Sequence, residues 1–281
     1  MKVNLAKSAG FCSGVRRAIN IAMETAAKDR PVFMLGDIVH NEEVVKMIQQ
    51  AGIKKISRLS KGDGNILLIR AHGCPKKTIE KAKRLRYSII DATCPMVKEI
   101  HATAKELEDR GFKVIVIGDK SHDEVKGIVG QLKTKAIIID KLQNIPFKKI
   151  GLLKKAGVVV QSTQNLDKVR QIAGLLEKNI GEMEFHNTIC KPTRSKQGEI
   201  KVMPLENDVM VVIGSKTSAN TKRMYEISKS LNRKTYWVNS SREIKNGWLS
   251  KAKNVGITAG ASTPESTIQA VIQKIKSIRR A

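Results

Sequence analysis

Three cysteines stand at comparable places along the 281-residue chain. Cys12, Cys94 and Cys190 divide it into near-thirds. Cys94 lies between the apolar stretch 87–90 and Pro95, a residue that suits the first turn of a helix. A thiolate at such a strand-to-helix turn faces backbone N–H groups and the positive end of the helix, which favour metal ligation. Taken alone, Cys94 would fit a buried structural cysteine better than a metal ligand.

Polar residues recur at a fixed distance after each cysteine. The residues that stand 28 positions later are His40, His122 and Ser218, each close behind an apolar run. A second polar cluster follows another apolar run in each third of the chain, at 70–73, 161–163 and 258–262. This periodicity predicts one α/β unit used three times, each giving a cysteine and two polar strand ends.

The elements that must position these residues are strands alternating with helices, which predicts an α/β fold with parallel sheets. Only 4% of the residues are aromatic, and aliphatic residues supply the apolar content, as sheets buried on both faces require. Because the repeat restarts near each cysteine, we expect three similar lobes, and the strand Lys2–Leu5 can complete the third sheet. The expected lobes are residues 13–94, residues 95–188, and residues 1–12 together with 189–281.

The charge and composition of the chain indicate which classes of binding partner to expect. A formal charge of +26 raises the possibility of a nucleic-acid-binding protein. Lysine and arginine are nevertheless spread along every predicted helix, and the clustered aromatics of an RNA-binding surface are missing from the sequence. A solvated basic surface that attracts an anionic substrate or an acidic redox partner is the favoured interpretation. No apolar run is long enough to span a membrane, and unpaired cysteines indicate a reducing compartment, so we expect a cytoplasmic protein.

The chemistry follows from the residue types. Three thiolates that meet at a common axis could bind zinc or hold a cubane iron–sulfur cluster with one open iron. Hydrogen-bond donors at the strand ends suit a phosphate or diphosphate; they are His40, His72, His122, Ser162, Thr163, Ser218, Asn220 and Ser262. Glu124, beside His122, could shuttle protons. Cys74 is interpreted as structural, and no role is assigned to His101 or His186.

Six motifs surround these residues: Gly10-Phe11-Cys12-Ser13-Gly14-Val15, Val39-His40-Asn41, Ala71-His72-Gly73, Asp91-Ala92-Thr93-Cys94-Pro95, Gly214-Ser215-Lys216 and Thr258-Ala259-Gly260-Ala261-Ser262. Together they resemble the 4-hydroxy-3-methylbut-2-enyl diphosphate reductase (LytB) family. The resemblance implies a pseudo-threefold trefoil around a central [4Fe-4S] cluster with three cysteine ligands. It also implies reduction of the allylic diphosphate substrate to isopentenyl and dimethylallyl diphosphate, the last step of non-mevalonate isoprenoid synthesis. The sequence does not identify the electron donor, but the basic surface predicts an acidic one, reduced ferredoxin or flavodoxin.

The same resemblance assigns the site residues. The cluster ligands would be Cys12, Cys94 and Cys190, and the residues around the diphosphate would be His40, His72, His122, Ser218, Ala219, Asn220 and Ser262. Glu124 would relay protons with a hydroxyl from Ser162 or Thr163, between which the sequence does not decide. Ala219 stands where a second serine is common, which removes one possible donor. Two competing interpretations are a zinc-dependent hydrolase of a phosphorylated small molecule and a basic nucleic-acid-binding protein.

Overall fold

The structure is a computed structural model that describes residues 1–278, so Arg279, the predicted end of the closing helix, lies outside the described residues. The strands are β1 (Lys2–Leu5), β2 (Val32–Leu35), β3 (Lys54–Ile56), β4 (Ile66–Ile69), β5 (Ser88–Asp91), β6 (Lys113–Ile117), β7 (Ile137–Ile139), β8 (Lys155–Val160), β9 (Glu182–Phe185), β10 (Val209–Ile213), β11 (Thr235–Val238) and β12 (Asn254–Ala259). The α-helices are α1 (Ser13–Ala26), α2 (Glu42–Gln50), α3 (Lys76–Arg84), α4 (Pro95–Asp109), α5 (Asp123–Val129), α6 (Phe147–Ile150), α7 (Leu166–Glu177), α8 (Lys191–Glu206), α9 (Ala219–Leu231) and α10 (Glu265–Ile278).

The strands form three four-stranded sheets with one common plan. Their orders are β3-β2-β4-β5, β7-β6-β8-β9 and β11-β10-β12-β1, and every pairing is parallel. The predicted class, α/β with three similar parallel sheets, is confirmed. The third sheet takes its last strand from the beginning of the sequence, with Lys2 opposite Asn254 and Leu5 opposite Ile257.

The central strands are those that the apolar runs predict. Every residue of β4 and β10 is buried, and so is every residue of β8 and β12 after the first. Helices that cover both faces of a parallel sheet account for this uniform burial. Two strands, β3 and β9, were not predicted. Both lie at sheet edges, are rich in charged residues and contain no buried position, so they lack the apolar run that marks a strand in sequence.

The chain forms two compact units. The one-sheet unit comprises Met1–Arg16, Val39–Lys46 and Lys191–Ala281 and holds the sheet that contains β1. The two-sheet unit comprises Arg17–Ile38 and Met47–Cys190 and holds the other two sheets. The lobe boundaries expected from the cysteines stay predictions. Across residues 1–278, no helix has the length and apolar character that crossing a bilayer needs.

Candidate active site

The three cysteines occupy equivalent positions in their sheets. Each follows the strand at one sheet edge, and its backbone N–H donates to a carbonyl just past the end of the adjacent strand. The bonds run from Cys12 to Ala261 (3.1 Å), from Cys94 to Ala71 (2.9 Å) and from Cys190 to Ser162 (3.1 Å). This main-chain hydrogen bond fixes where each cysteine lies relative to the end of the adjacent strand. The repeat read from sequence spacing is therefore also a repeat of backbone hydrogen bonding.

Each of these cysteines immediately precedes a helix. The helices α1, α4 and α8 begin at the next residue, and none has an acidic residue in its first turn. The positive end of each helix therefore faces the cysteine without a competing carboxylate on that turn. The Sγ of Cys12 accepts the N–H of Val15 at 3.4 Å. All three thiols are free of disulfides and half-buried.

The turn that carries Cys94 is held by Asp91. Its Oδ1 accepts the N–H of Thr93 at 2.9 Å, and its Oδ2 lies 2.6 Å from the Nζ of Lys98 on α4. Burial acts to raise the pKa of Asp91, but the hydrogen bonds from Lys98 and Thr93 outweigh it and hold the pKa below its usual value. An ionised Asp91 therefore ties the end of β5 to the first turn of α4, with Cys94 between them.

Cys74 differs from the other three cysteines. It is buried among apolar side chains beside β4. Burial raises the pKa of the Cys74 thiol to about 11, against a smaller lowering effect of the Arg70 charge. A thiol with this pKa remains protonated at neutral pH and is a poor metal ligand. The structure thus agrees with a structural role for Cys74.

We expect Cys74 to resist alkylation in the folded protein. At pH 8, a pKa of about 11 leaves only about one thiol in a thousand ionised, and the surrounding core excludes the reagent. Iodoacetamide applied to the reduced, iron-free protein should label Cys12, Cys94 and Cys190 first, as read by peptide mass spectrometry. Labelling of Cys74 should require denaturant. Labelling of all four thiols at one rate in the folded protein would contradict the assignment.

Two of the predicted histidines are neighbours in the two-sheet unit. The rings of His72 and His122 pack edge to face with their centroids 5.4 Å apart. His122 is the N-cap of α5, where its Nδ1 accepts the N–H of Glu124 at 3.1 Å. We assign the proton of the neutral imidazole to Nε2 because Nδ1 acts as an acceptor. His122 can therefore donate to an anion through Nε2–H.

Glu124 is a buried carboxylate held by a serine. Glu124 is only 1% exposed. Oε1 accepts the N–H of Ser162 at 2.6 Å, and Oε2 accepts the Ser162 hydroxyl at 2.8 Å. The neighbouring Thr163 hydroxyl instead accepts from the Nε2 of Gln161 at 3.1 Å. Of the two hydroxyls that the sequence left open, that of Ser162 contacts Glu124.

An ion pair that the sequence did not reveal joins the two histidine turns. Arg70 precedes the His72 turn and lies 2.7 Å from the Oδ2 of Asp123, which follows His122. Both partners are largely shielded from solvent, so the pair is less screened than a surface ion pair. A side chain at Gly36 would meet the Arg70 guanidinium at 2.7 Å, and Gly36 has φ +82°. The only sequence signal for this pair was that each partner adjoins a candidate histidine.

His101, to which the sequence assigned no role, packs against the turn that contains His72. Its ring packs against Gly73, where a Cβ atom would lie 2.8 Å from Cε1 and where φ is +70°. Burial lowers the pKa of His101 to about 4, against a smaller raising effect of Asp91. His101 is therefore neutral at physiological pH and supports the His72 turn by packing.

The one-sheet unit carries the other predicted donors. Ser218 is the N-cap of α9, with its hydroxyl accepting the N–H of Thr221 at 3.3 Å. Asn220 is buried in the first turn of this helix, and Ala219 offers only a methyl group and a backbone N–H. The Ser262 hydroxyl donates to the carbonyl of His40 at 3.0 Å. Within this unit, the structure therefore brings Ser262 to His40 and places the other three at the start of one helix.

Comparison with known proteins gives one consistent result. The family model described as LytB protein matches residues 3–276. Proteins named 4-hydroxy-3-methylbut-2-enyl diphosphate reductase match over nearly their whole length: that of Geotalea daltonii is 38% identical, covering 100% of this chain and 99% of that protein, and that of Aquifex aeolicus is 36% identical, covering 98% and 96%.

Two solved structures are also similar. One is described as (E)-4-hydroxy-3-methyl-but-2-enyl diphosphate reductase, the terminal enzyme of the non-mevalonate pathway. It is 35% identical, covers 99% of this chain and 100% of its own, and has a TM-score of 0.72. The other is the E-1-hydroxy-2-methyl-but-2-enyl-4-diphosphate reductase from Plasmodium falciparum. It is 28% identical, covers 97% of this chain and 87% of its own, and has a TM-score of 0.88.

Proposed function

This chain belongs to the LytB protein family, and we infer that it reduces 4-hydroxy-3-methylbut-2-enyl diphosphate in the terminal step of the non-mevalonate pathway. The observation that carries this inference is the full-length match, which includes all three equivalent cysteines. The products would be isopentenyl and dimethylallyl diphosphate, formed with two electrons and two protons as the hydroxyl leaves as water.

Proteins of this family are iron–sulfur enzymes, and we propose that Cys12, Cys94 and Cys190 hold one [4Fe-4S] cluster with one open iron. When bound, such a cluster supplies electrons and a Lewis acid for the substrate hydroxyl. Support comes from the donor set, because the three cysteines are half-buried, form no disulfide and stand at helix N-termini with no acidic first turn. Cys74, buried and with a raised pKa, does not fit a ligand role.

We propose that the diphosphate is bound by the strand-end donors. His122 would donate through Nε2–H, because its Nδ1 is occupied by the N–H of Glu124. The N-terminus of α9 would offer backbone N–H groups, including that of Ala219, with the Asn220 amide nearby. The remaining predicted donors are His40, His72, Ser218 and Ser262. Ala219 would contribute its backbone N–H alone, because alanine has no hydroxyl.

We propose that Glu124 carries the proton that leaves with the substrate hydroxyl. A carboxyl group inside a dry site can hold a proton and release it to a developing hydroxide. The two bonds from Ser162 fix the plane of the carboxyl group, so its proton is presented in one direction. Ser162 is therefore the hydroxyl that we assign to the relay. Thr163 is directed to Gln161 instead.

The Ser162→Ala variant should lower kcat by about ten- to hundredfold. The expected loss corresponds to one hydrogen bond to a charged group, about 1.5–3 kcal/mol. The matched control is Thr163→Val, which removes the adjacent hydroxyl and should reduce kcat much less. Steady-state assays of both iron-loaded variants would measure this difference. A larger loss in Thr163→Val would reverse the assignment.

The function is tested by assaying the anaerobically purified, iron-loaded chain with 4-hydroxy-3-methylbut-2-enyl diphosphate and a small-molecule reductant. Mass spectrometry should show both isopentenyl and dimethylallyl diphosphate. Release of phosphate by a colourless, zinc-loaded protein would instead favour a hydrolase. An iron-loaded protein that leaves the substrate unchanged would overturn the proposal.

The reaction requires an electron donor, and we propose an acidic one, reduced ferredoxin or flavodoxin. The support is the formal charge of +26, which favours fast association with a partner of opposite charge. In the same assay, the rate with such a protein donor should fall as salt rises, whereas the rate with a neutral dye should change little.

A further inference from the structure

One lysine of this basic chain is buried in the one-sheet unit. Lys196, in the second turn of α8, is only 2% exposed. Its Nζ donates to the backbone carbonyls of Gly10 at 3.0 Å and Ala259 at 3.1 Å, and also to that of Ser8. An ammonium group removed from water is strongly disfavoured unless its three donors are satisfied. Three carbonyls satisfy all of them here.

Two of the three carbonyls belong to the segment that leads to Cys12, and the third belongs to the neighbouring strand β12. Ser8 and Gly10 lie between β1 and Cys12, and Ala259 ends the strand next to β1. Gly10 is in the left-handed region with φ +86°, and a side chain there would meet Ile268 at 3.1 Å. The turn before Cys12 is thus confined on one side by α10 and bonded on the other by Lys196.

The same face of α8 bonds this turn a second time. Glu199, three residues after Lys196, accepts the hydroxyl of Ser8 at 2.7 Å and its N–H at 3.1 Å. The helix therefore uses a cation for the carbonyls of the turn and an anion for its donors. In sequence, α8 begins immediately after Cys190, so the helix that bonds the turn before Cys12 starts next to another proposed ligand.

We propose that Lys196 is a positioning residue for the cluster site. Its ammonium fixes the turn that presents Cys12, and its positive charge stabilises the more negative, reduced state of the bound cluster. This inference rests on the proposed function for its second part only. The first part concerns the backbone of residues 6–12 and holds whether or not iron is bound.

The test uses Lys196→Met, which keeps the length of the side chain but removes the charge and the donors. Hydrogen–deuterium exchange of the full chain, as isolated and after removal of iron, should be faster at residues 6–12 by about tenfold or more. The reduction potential of the iron-loaded variant, followed by redox titration, should shift to a lower value. Lys196→Arg should restore both properties in part, because it keeps the charge.

The matched control is Lys229→Met, which removes a lysine near the end of α9 that also bonds backbone carbonyls. It should change neither measurement. If Lys196→Met does not fold, Lys196→Gln, which keeps two donors, provides the same comparison. Unchanged exchange at residues 6–12 would overturn the proposal. If the wild type takes up no cluster, the proposed function fails, while the exchange measurement still decides whether Lys196 holds the turn.

Discussion

Replacing Cys94 by alanine should abolish turnover and remove most of the iron from the protein. The proposed cluster would then have only two of its three cysteine ligands. Even the loss of residues that merely support metal ligands lowers affinity or activity by about 10- to 100-fold, so loss of a ligand should exceed that. Iron and sulfide analysis, a visible spectrum and the reductase assay would measure the effect.

Cys74→Ala is the control for this variant. It removes a thiol of the same chain that is buried and protonated, and it should keep the iron, the colour and the rate. Its cost should be a stability loss of about 1 kcal/mol from the small cavity beside β4, seen as a lower melting temperature. Equal loss of iron in both variants would mean that alanine at either site unfolds the protein, and retention of iron in Cys94→Ala would remove Cys94 from the ligand set.

The second large effect is expected for Glu124→Gln, in which kcat should fall by about 10²- to 10⁴-fold with little change in iron content. The amide is nearly the same size, and its oxygen can still accept the N–H of Ser162. It cannot hold and release a proton as the carboxyl group does. With the amide oxygen toward the Ser162 N–H, the amide nitrogen faces the Ser162 hydroxyl and can donate to it. Both contacts with Ser162 are then kept, so the fold should be retained.

Glu177→Gln provides the matched control, since Glu177 is exposed at the end of α7. Single-turnover measurements under anaerobic conditions would separate the proton-dependent step from product release. A Glu124→Gln protein with normal kcat would remove Glu124 from the relay. A protein that lost iron and rate together would show that the carboxylate serves the structure of the site and not its chemistry.

The sequence was sufficient for the central strands and for the repeat because both depend on local composition. An apolar run such as β4 is buried over its whole length, and this leaves a visible pattern. The edge strands β3 and β9 leave none, since half-exposed edges tolerate charged residues. The sequence suggested that β1 joins the third sheet, but it did not give the register of β1 against β12.

The sequence predicted which residue types form the candidate site better than it predicted which of them touch. Polar residues at strand ends indicate a site, but the choice between Ser162 and Thr163 depends on side-chain direction, which adjacent residues do not share. The pair between Arg70 and Asp123 joins turns separated by 53 residues, so sequence spacing gave no indication of it. Nothing in the sequence distinguishes Lys196 from the other lysines of a basic chain, because the three carbonyls that enclose its ammonium come from segments distant in sequence.

The pairing of β1 with β12 also sets an order of events during protein synthesis. The ribosome releases Lys2 long before Asn254, so β1 must wait without its neighbour while almost the whole polypeptide is made. The amide of Cys12 waits longer still, because its acceptor is Ala261. Contacts so distant in sequence form late. A chain truncated before Asn254 would therefore lack the strand that pairs with β1, and the segment that carries Cys12 would not be held in place. The proposed cluster site would therefore be complete only after Ala261 has been made.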